Sequence, residues 1–180
     1  MLRAIRDLLQ KIYNAIRGLR YACSVSVICA AASDYAAGDV LSANATANAG
    51  RATYFPNLAH EPGGVATIVS ITATCSEDAV LTSLRLHFLR QAPAVADVEM
   101  DDNAPFDLVT ANGRLNWAGS ILLNALADRG TLASTSDTEG INKPMYCGPN
   151  DTGLYIVITT EVAEANESAN MELSLDVYTL

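Results

Sequence analysis

The sequence predicts an all-β protein, an antiparallel β-sandwich preceded by an amphipathic N-terminal α-helix. Beyond residue 21, several runs alternate apolar and polar residues with the period of two that a half-buried strand requires. Clusters of Gly, Pro, Asn and Asp separate those runs at intervals of about 10–20 residues. Residues 2–19 differ, because their large aliphatics recur every three or four positions. The resulting organisation is a helical arm over residues 1–21 and one β domain over residues 22–180.

In the arm, Leu2, Ile5, Leu9, Ile12, Ile16 and Leu19 fall at spacings of three, four, three, four and three. That rhythm places six aliphatic side chains on one helical seam, which Leu8 and Tyr13 widen. Most other positions are Arg, Lys, Asp, Gln or Asn. The cationic start, the apolar stretch Cys23–Cys29 and Ala30–Ala32 also imitate a secretory signal. The seam argues against that reading, since the core of a signal acts as a greasy block and gains nothing from strict patterning. Gly18 marks a weak point where helix gives way to strand. An isolated helix of this length is marginal in water, so the six seam residues are predicted contacts. Their candidate partners are other copies of the chain, another protein's groove or an anionic lipid surface.

In the β domain, Cys23, Val25, Val27 and Cys29 make the first strand, and Val65–Cys75, rich in Val, Ile and Thr, makes another. Over Val80–Arg90, Val80, Thr82, Leu84, Leu86 and Phe88 share one face, while Ser83, Arg85 and His87 point the other way. Trp117–Ala127 fits a strand or a short helix equally well. Leu154, Ile156, Ile158, Thr160 and Val162 form the inward set of a further strand. In the last strand, Met171, Leu173, Leu175 and Val177 alternate with Glu172, Ser174, Asp176 and Tyr178. Turns are expected at Ala36–Asp39, Thr46–Gly50, Glu61–Gly64, Asp101–Pro105, Ala111–Gly113 and Cys147–Gly153.

With 180 residues, half of them apolar and 17% charged, the chain supports one packed domain without covalent staples. No apolar run approaches the ~20 residues that span a bilayer, so a soluble protein without a membrane partner is expected. The net charge of −9 is unevenly spread, with +4 on the first twenty residues and −13 on the remainder. An acidic body repels phosphate, which argues against a nucleic-acid partner. The cations of the arm read as a solvated helix face.

Catalytic signals are sparse. Cys23, Cys29, Cys75 and Cys147 form no CxxC pair and sit in or beside apolar runs, as buried thiols do. His87 falls on the outward face of its strand and His60 in a turn-rich loop. There is no GxSxG elbow and no GxxxxGK[ST] loop. Asp101-Asp102-Asn103 lacks the alternating spacing of a calcium loop and reads as a solvated turn. Asn44, Asn150 and Asn166 begin glycan-acceptor triplets, which matter only on a eukaryotic secretory route. The expectation is a protein that is not an enzyme, with no cofactor and no metal.

The patches Tyr35–Ser42, Gly63–Val69, Leu84–Phe88, Asp102–Phe106 and Leu154-Tyr155, in that order, resemble a family of tailed-bacteriophage virion proteins. The family includes β-sandwich or jelly-roll capsid cement (decoration) proteins. The likeness extends over residues 23–180 and leaves out the arm. It implies a jelly-roll sandwich on the capsid exterior, bound to the major capsid protein and self-associating, with a trimer favoured. The arm would then trimerise the units or clamp the shell. Two other readings compete: a tail or fibre component with a receptor- or sugar-binding sandwich, and an exported bacterial β-sandwich protein.

Overall fold

A computed structural model describes residues 21–29, 34–43, 51–77, 82–130, 133–163 and 171–180. Residues 1–20 of the arm, with Leu2, Ile5, Leu9, Ile12, Ile16 and Leu19, lie outside the described residues, as do Val80, Asn44 and Asn166, whereas Tyr21, expected at the end of the arm, already belongs to the first strand.

The strands in chain order are β1 (Tyr21–Ile28), β2 (Val40–Leu41), β3 (Thr53–Phe55), β4 (Val65–Cys75) and β5 (Leu84–Leu89), then β6 (Trp117–Leu122), β7 (Ala127–Asp128), β8 (Ser134–Tyr146), β9 (Leu154–Thr160) and β10 (Glu172–Thr179). One short helix, α1 (Ala111–Asn116), precedes β6. The pairings are antiparallel and build two sheets. One runs β1-β10-β4-β8-β7, and the other β2-β9-β5-β6. β2 and β3 pair with successive stretches of β9, Val40 with Thr159 and Phe55 with Leu154, and so share one position beside it.

The two sheets form a sandwich because each strand offers one apolar face. In β10, Leu173, Leu175 and Val177 are buried, while Glu172, Ser174, Asp176 and Tyr178 face outward. β4 turns Ala66 and Ile68 inward, and a register shift before Ser70 resets the alternation so that Ile71, Ala73 and Cys75 also point inward. Opposite them lie Phe55, Leu86, Phe88, Ile121, Ile156 and Ile158 of the second sheet. Each fully buried aliphatic or aromatic side chain contributes about 1.5–3 kcal/mol.

A second apolar layer lies outside this core. The chain between β5 and α1 folds over the outer face of the second sheet and packs Val98 and Met100 against Val40, Leu89 and Val157. Phe106 and Leu108 join from the same segment. β9 is therefore buried on both faces, which explains its almost unbroken run LYIVI.

Several local expectations change. Ala111–Gly113 is the first half of α1 rather than a turn, because Thr110 caps it through a hydrogen bond from the Gly113 N–H to its side chain at 3.2 Å. Trp117–Ala127 begins with a strand, β6. β9 stops at Thr160, whose N–H donates to the Asp39 carbonyl, and Val162 is exposed instead of facing the core. β8, thirteen residues long, has no apolar alternation to announce it.

Candidate interaction surface

Where β1 begins and β10 ends, three connections meet: residues 56–64, 90–116 and 147–153. Backbone hydrogen bonds lash them together. The Gly63 N–H donates to the Gly148 carbonyl at 2.9 Å, Gly148 to Arg90 at 2.8 Å, and Arg90 to Asn116 at 2.9 Å. Ala59 donates to Thr152, and the Thr179 hydroxyl to the Leu58 carbonyl. Loops are normally mobile, but these have their polar groups consumed by one another.

The packing around α1 leaves little room for adjustment. The buried Asn116 side chain accepts from the Gln91 N–H and donates to the Gln91 carbonyl, both at 2.9 Å, and so mimics a strand pair. The Thr110 hydroxyl donates to Asp97. Gly113 lies so close to the Asp97 carbonyl that a Cβ there would stand 2.2 Å from its oxygen. Gly148 approaches Arg90 in the same way, at 2.5 Å.

This braced end carries apolar side chains outward. Leu115 on α1 is 75% exposed, Val109 before it 53% and Trp117 after it 41%. Arg90, Gln91, Asp97, Asn112, Leu115 and Pro149 line a cleft of about 500 Å³ beside them. Large apolar side chains held rigidly beside a polar rim suit protein–protein contact, because their ordering entropy is already spent before binding.

Histidines, cysteines and carboxylates are placed differently. His87 faces outward from β5, as its alternation predicts, but the overlying segment covers it. Its ring stacks on Phe106 with centroids 4.0 Å apart, and its Nε2 lies 3.2 Å from the Thr159 hydroxyl. Burial, reinforced by Arg85 and opposed by Glu161, lowers its pKa to about 4. His60 is exposed on the 56–64 connection. The four cysteines are free and buried. Burial pushes the thiol of Cys29 up to about 12 and that of Cys147 up to about 11. Asp102 is a fastening rather than a solvated turn residue, since its carboxylate accepts from the Tyr35 hydroxyl and the Ser42 N–H. Among the described residues no three His, Cys, Asp or Glu side chains are grouped to hold a metal ion. No described helix is long and apolar enough to cross a membrane.

The six seam residues of the arm lie outside the described residues, so the structure brings none of them to this surface. Sequence reasoning missed Leu115 and Trp117. The available signal was Thr110 as a helix cap, then a short polar segment with one Leu, and directly after it the only Trp of the chain. The chain matches no protein-family model and no curated protein sequence.

Proposed function

We propose that this protein is a structural component of a virion, a capsid cement protein on the capsid exterior that binds the major capsid protein and ties neighbouring shell subunits together. The observation that supports this reading best is the strand order. The paths β1-β10-β4-β8 and β2/β3-β9-β5-β6, linked in chain order, follow the double-sheet arrangement of a jelly roll. That architecture serves viral shells and lectin domains. The braced end with Leu115 and Trp117 offers a shell contact, and the arm, through Leu2, Ile5, Leu9, Ile12, Ile16 and Leu19, offers a means of closing a small oligomer, with a trimer favoured.

One observation favours the tail or fibre reading. Tyr54 and Tyr155 set their rings 4.6 Å apart, and Tyr155 lines a cleft of about 420 Å³ together with Arg51, a pairing of aromatic face and cation suited to a sugar. Mass spectrometry of purified particles separates the two. A copy number comparable with the major shell protein supports cement, and a few copies confined to tails support the alternative. Leu9→Asp is expected to abolish oligomerisation or particle binding while the β domain stays folded. Unchanged light scattering and virion sedimentation would remove the arm from this scheme.

A further inference from the structure

A sheet edge exposes a row of backbone donors and acceptors, and natural proteins block such rows. Among the described residues, three of the four edges are blocked over at least part of their length. Beyond the short cover of β7, β8 bulges at residues 140–142, where Gly140 and Asn142 take positive φ, and continues into Lys143 and Pro144. β6 shifts register beside Phe88, and the Lys143 Nζ donates to its outward Ser120 carbonyl at 2.6 Å. At β2, the outer groups of Val40 are taken by residues 103 and 104, with its N–H donating to the Ala104 carbonyl and its carbonyl accepting from the Asn103 N–H.

β1 is the exception. Its eight residues, YACSVSVI, contain no Pro, no Gly and no charge, and their register against β10 runs from Tyr21↔Thr179 to Ile28↔Glu172 without a shift. The Cys29 N–H donates to the Met171 carbonyl. Antiparallel alternation therefore turns the odd-numbered residues toward β10 and the backbone groups of Ala22, Ser24, Ser26 and Ile28 outward. Among the described residues no backbone hydrogen bond reaches those outward groups. A cleft of about 570 Å³ runs alongside, between Ala22–Ser24 and Pro56, Asn57, Ala59 and His60.

We infer that this edge is an interface: β1 pairs antiparallel, about a twofold axis, with β1 of a second copy of this chain, joining two five-stranded sheets into one. Self-complementarity argues for a second copy. An axis through Val25 sets Ala22 against the partner copy's residue 28 and Ser24 against its residue 26, so all four outward positions are paired and none is left over. On the outer face, small hydroxyls then meet small hydroxyls. On the inner face Val25, half-buried in one copy, meets its equivalent and loses its remaining exposure. No like charges are opposed, because β1 has none, and the nearest carboxylates, Asp176 and Glu172, each accept a hydrogen bond from Ser24 or Ser26 of their own chain. This contact goes beyond the virion role and stands without it, as it uses no residue of the arm.

The test uses the full chain. Ser24→Pro removes an outward N–H that contributes nothing to the pairing with β10, so the sandwich is retained while the interface is blocked. The parent is expected to contain six copies by light scattering where the arm also closes a trimer and two where it does not, and Ser24→Pro to halve that mass with an unchanged circular dichroism spectrum. Val25→Cys gives a second, independent reading. Residue 25 faces itself as a non-hydrogen-bonded pair with Cα atoms about 4.5 Å apart, within disulfide reach. Mild oxidation should link two copies through a peptide carrying residue 25 on both sides. A parent that is monomeric or odd-numbered, or a folded Val25→Cys protein that stays unlinked, overturns the inference. So would a Ser24→Pro protein of parental mass.

Discussion

Acid should loosen this fold through one ring. His87 is held neutral between β9 and the segment that covers the second sheet, with Phe106 stacked on it and Thr159 at its Nε2. Besides Arg85 and Glu161, which pair with each other at 2.5 Å, no other charged group is found to shift it. The folded pKa of about 4 lies below the ordinary 6.5, so the unfolded chain binds a proton that the folded chain refuses. The neutral ring's contribution is fully present above about pH 6.5 and is lost as the pH falls through about 4. At 1.36 kcal/mol per pKa unit the loss amounts to about 3 kcal/mol, or a fall in Tm of roughly 6–12 °C for a chain of this size. Glu161, whose pKa is lowered chiefly by its hydrogen bond to Arg85, loses stability in the same direction. The assay must therefore compare the parent with His87→Gln, which keeps Glu161 and lacks the titration. Urea unfolding between pH 7 and pH 4 should show the parent losing about 3 kcal/mol more than the variant. Parallel curves would refute the argument, because they would mean that His87 protonates as freely folded as unfolded.

Other consequences of the packing can be measured directly. Leu86→Ala, at a fully buried core position, should cost about 2–5 kcal/mol in chemical unfolding, while Leu122→Ala, about half exposed on the neighbouring strand, should stay within ~0.5. Gly113→Ala puts a methyl against the Asp97 carbonyl, so it should lower Tm and make the 90–116 connection the first site cut by protease. The four thiols should ignore a disulfide reagent at pH 8 in the folded protein and all react once it is unfolded.

The strands that could be read from the sequence are those with one wet face. β10 and β4 alternate because one side of each meets the core and the other meets solvent, and β5 is legible for the same reason over its inner side. β8 is illegible because backbone pairing is indifferent to hydropathy. From Asp137 to Lys143 none of its residues is buried, and pairing with β4, helped by hydrogen bonds from Asn124 to Asp137 and Thr138, holds that stretch. The covering segment was missed because Gln91 to Ala96 and the Asp101–Pro105 turn look like loop, although they carry Val98, Met100 and Phe106 onto the sheet. The clue lay in β9, where an apolar run without alternation calls for cover on both sides. Leu115 and Trp117 show the limit of hydropathy patterns, which place large apolar residues in cores and not on a braced helix that holds them in water.

The two outer faces of the sandwich differ in what covers them. One is sealed by the protein's own chain. The other carries Ser24, Ser26, Thr72, Ser174, Asp137, Glu172 and Asp176, in which carboxylates accept from neighbouring hydroxyls: Ser24 to Asp176, Ser26 to Glu172 and Thr72 to Asp137. Such a face is rich in carboxylates, with Tyr178 and the half-exposed Ile28 among them. Stacking two of them would strip water from these carboxylates, which carries a desolvation cost. Two rim surfaces stand apart from both faces: the edge at β1, whose outward backbone groups meet no partner among the described residues, and the braced end at Leu115 and Trp117, which carries exposed apolar area. Both lie at the end of the sandwich where β1 begins, so the two proposed contact surfaces share one rim.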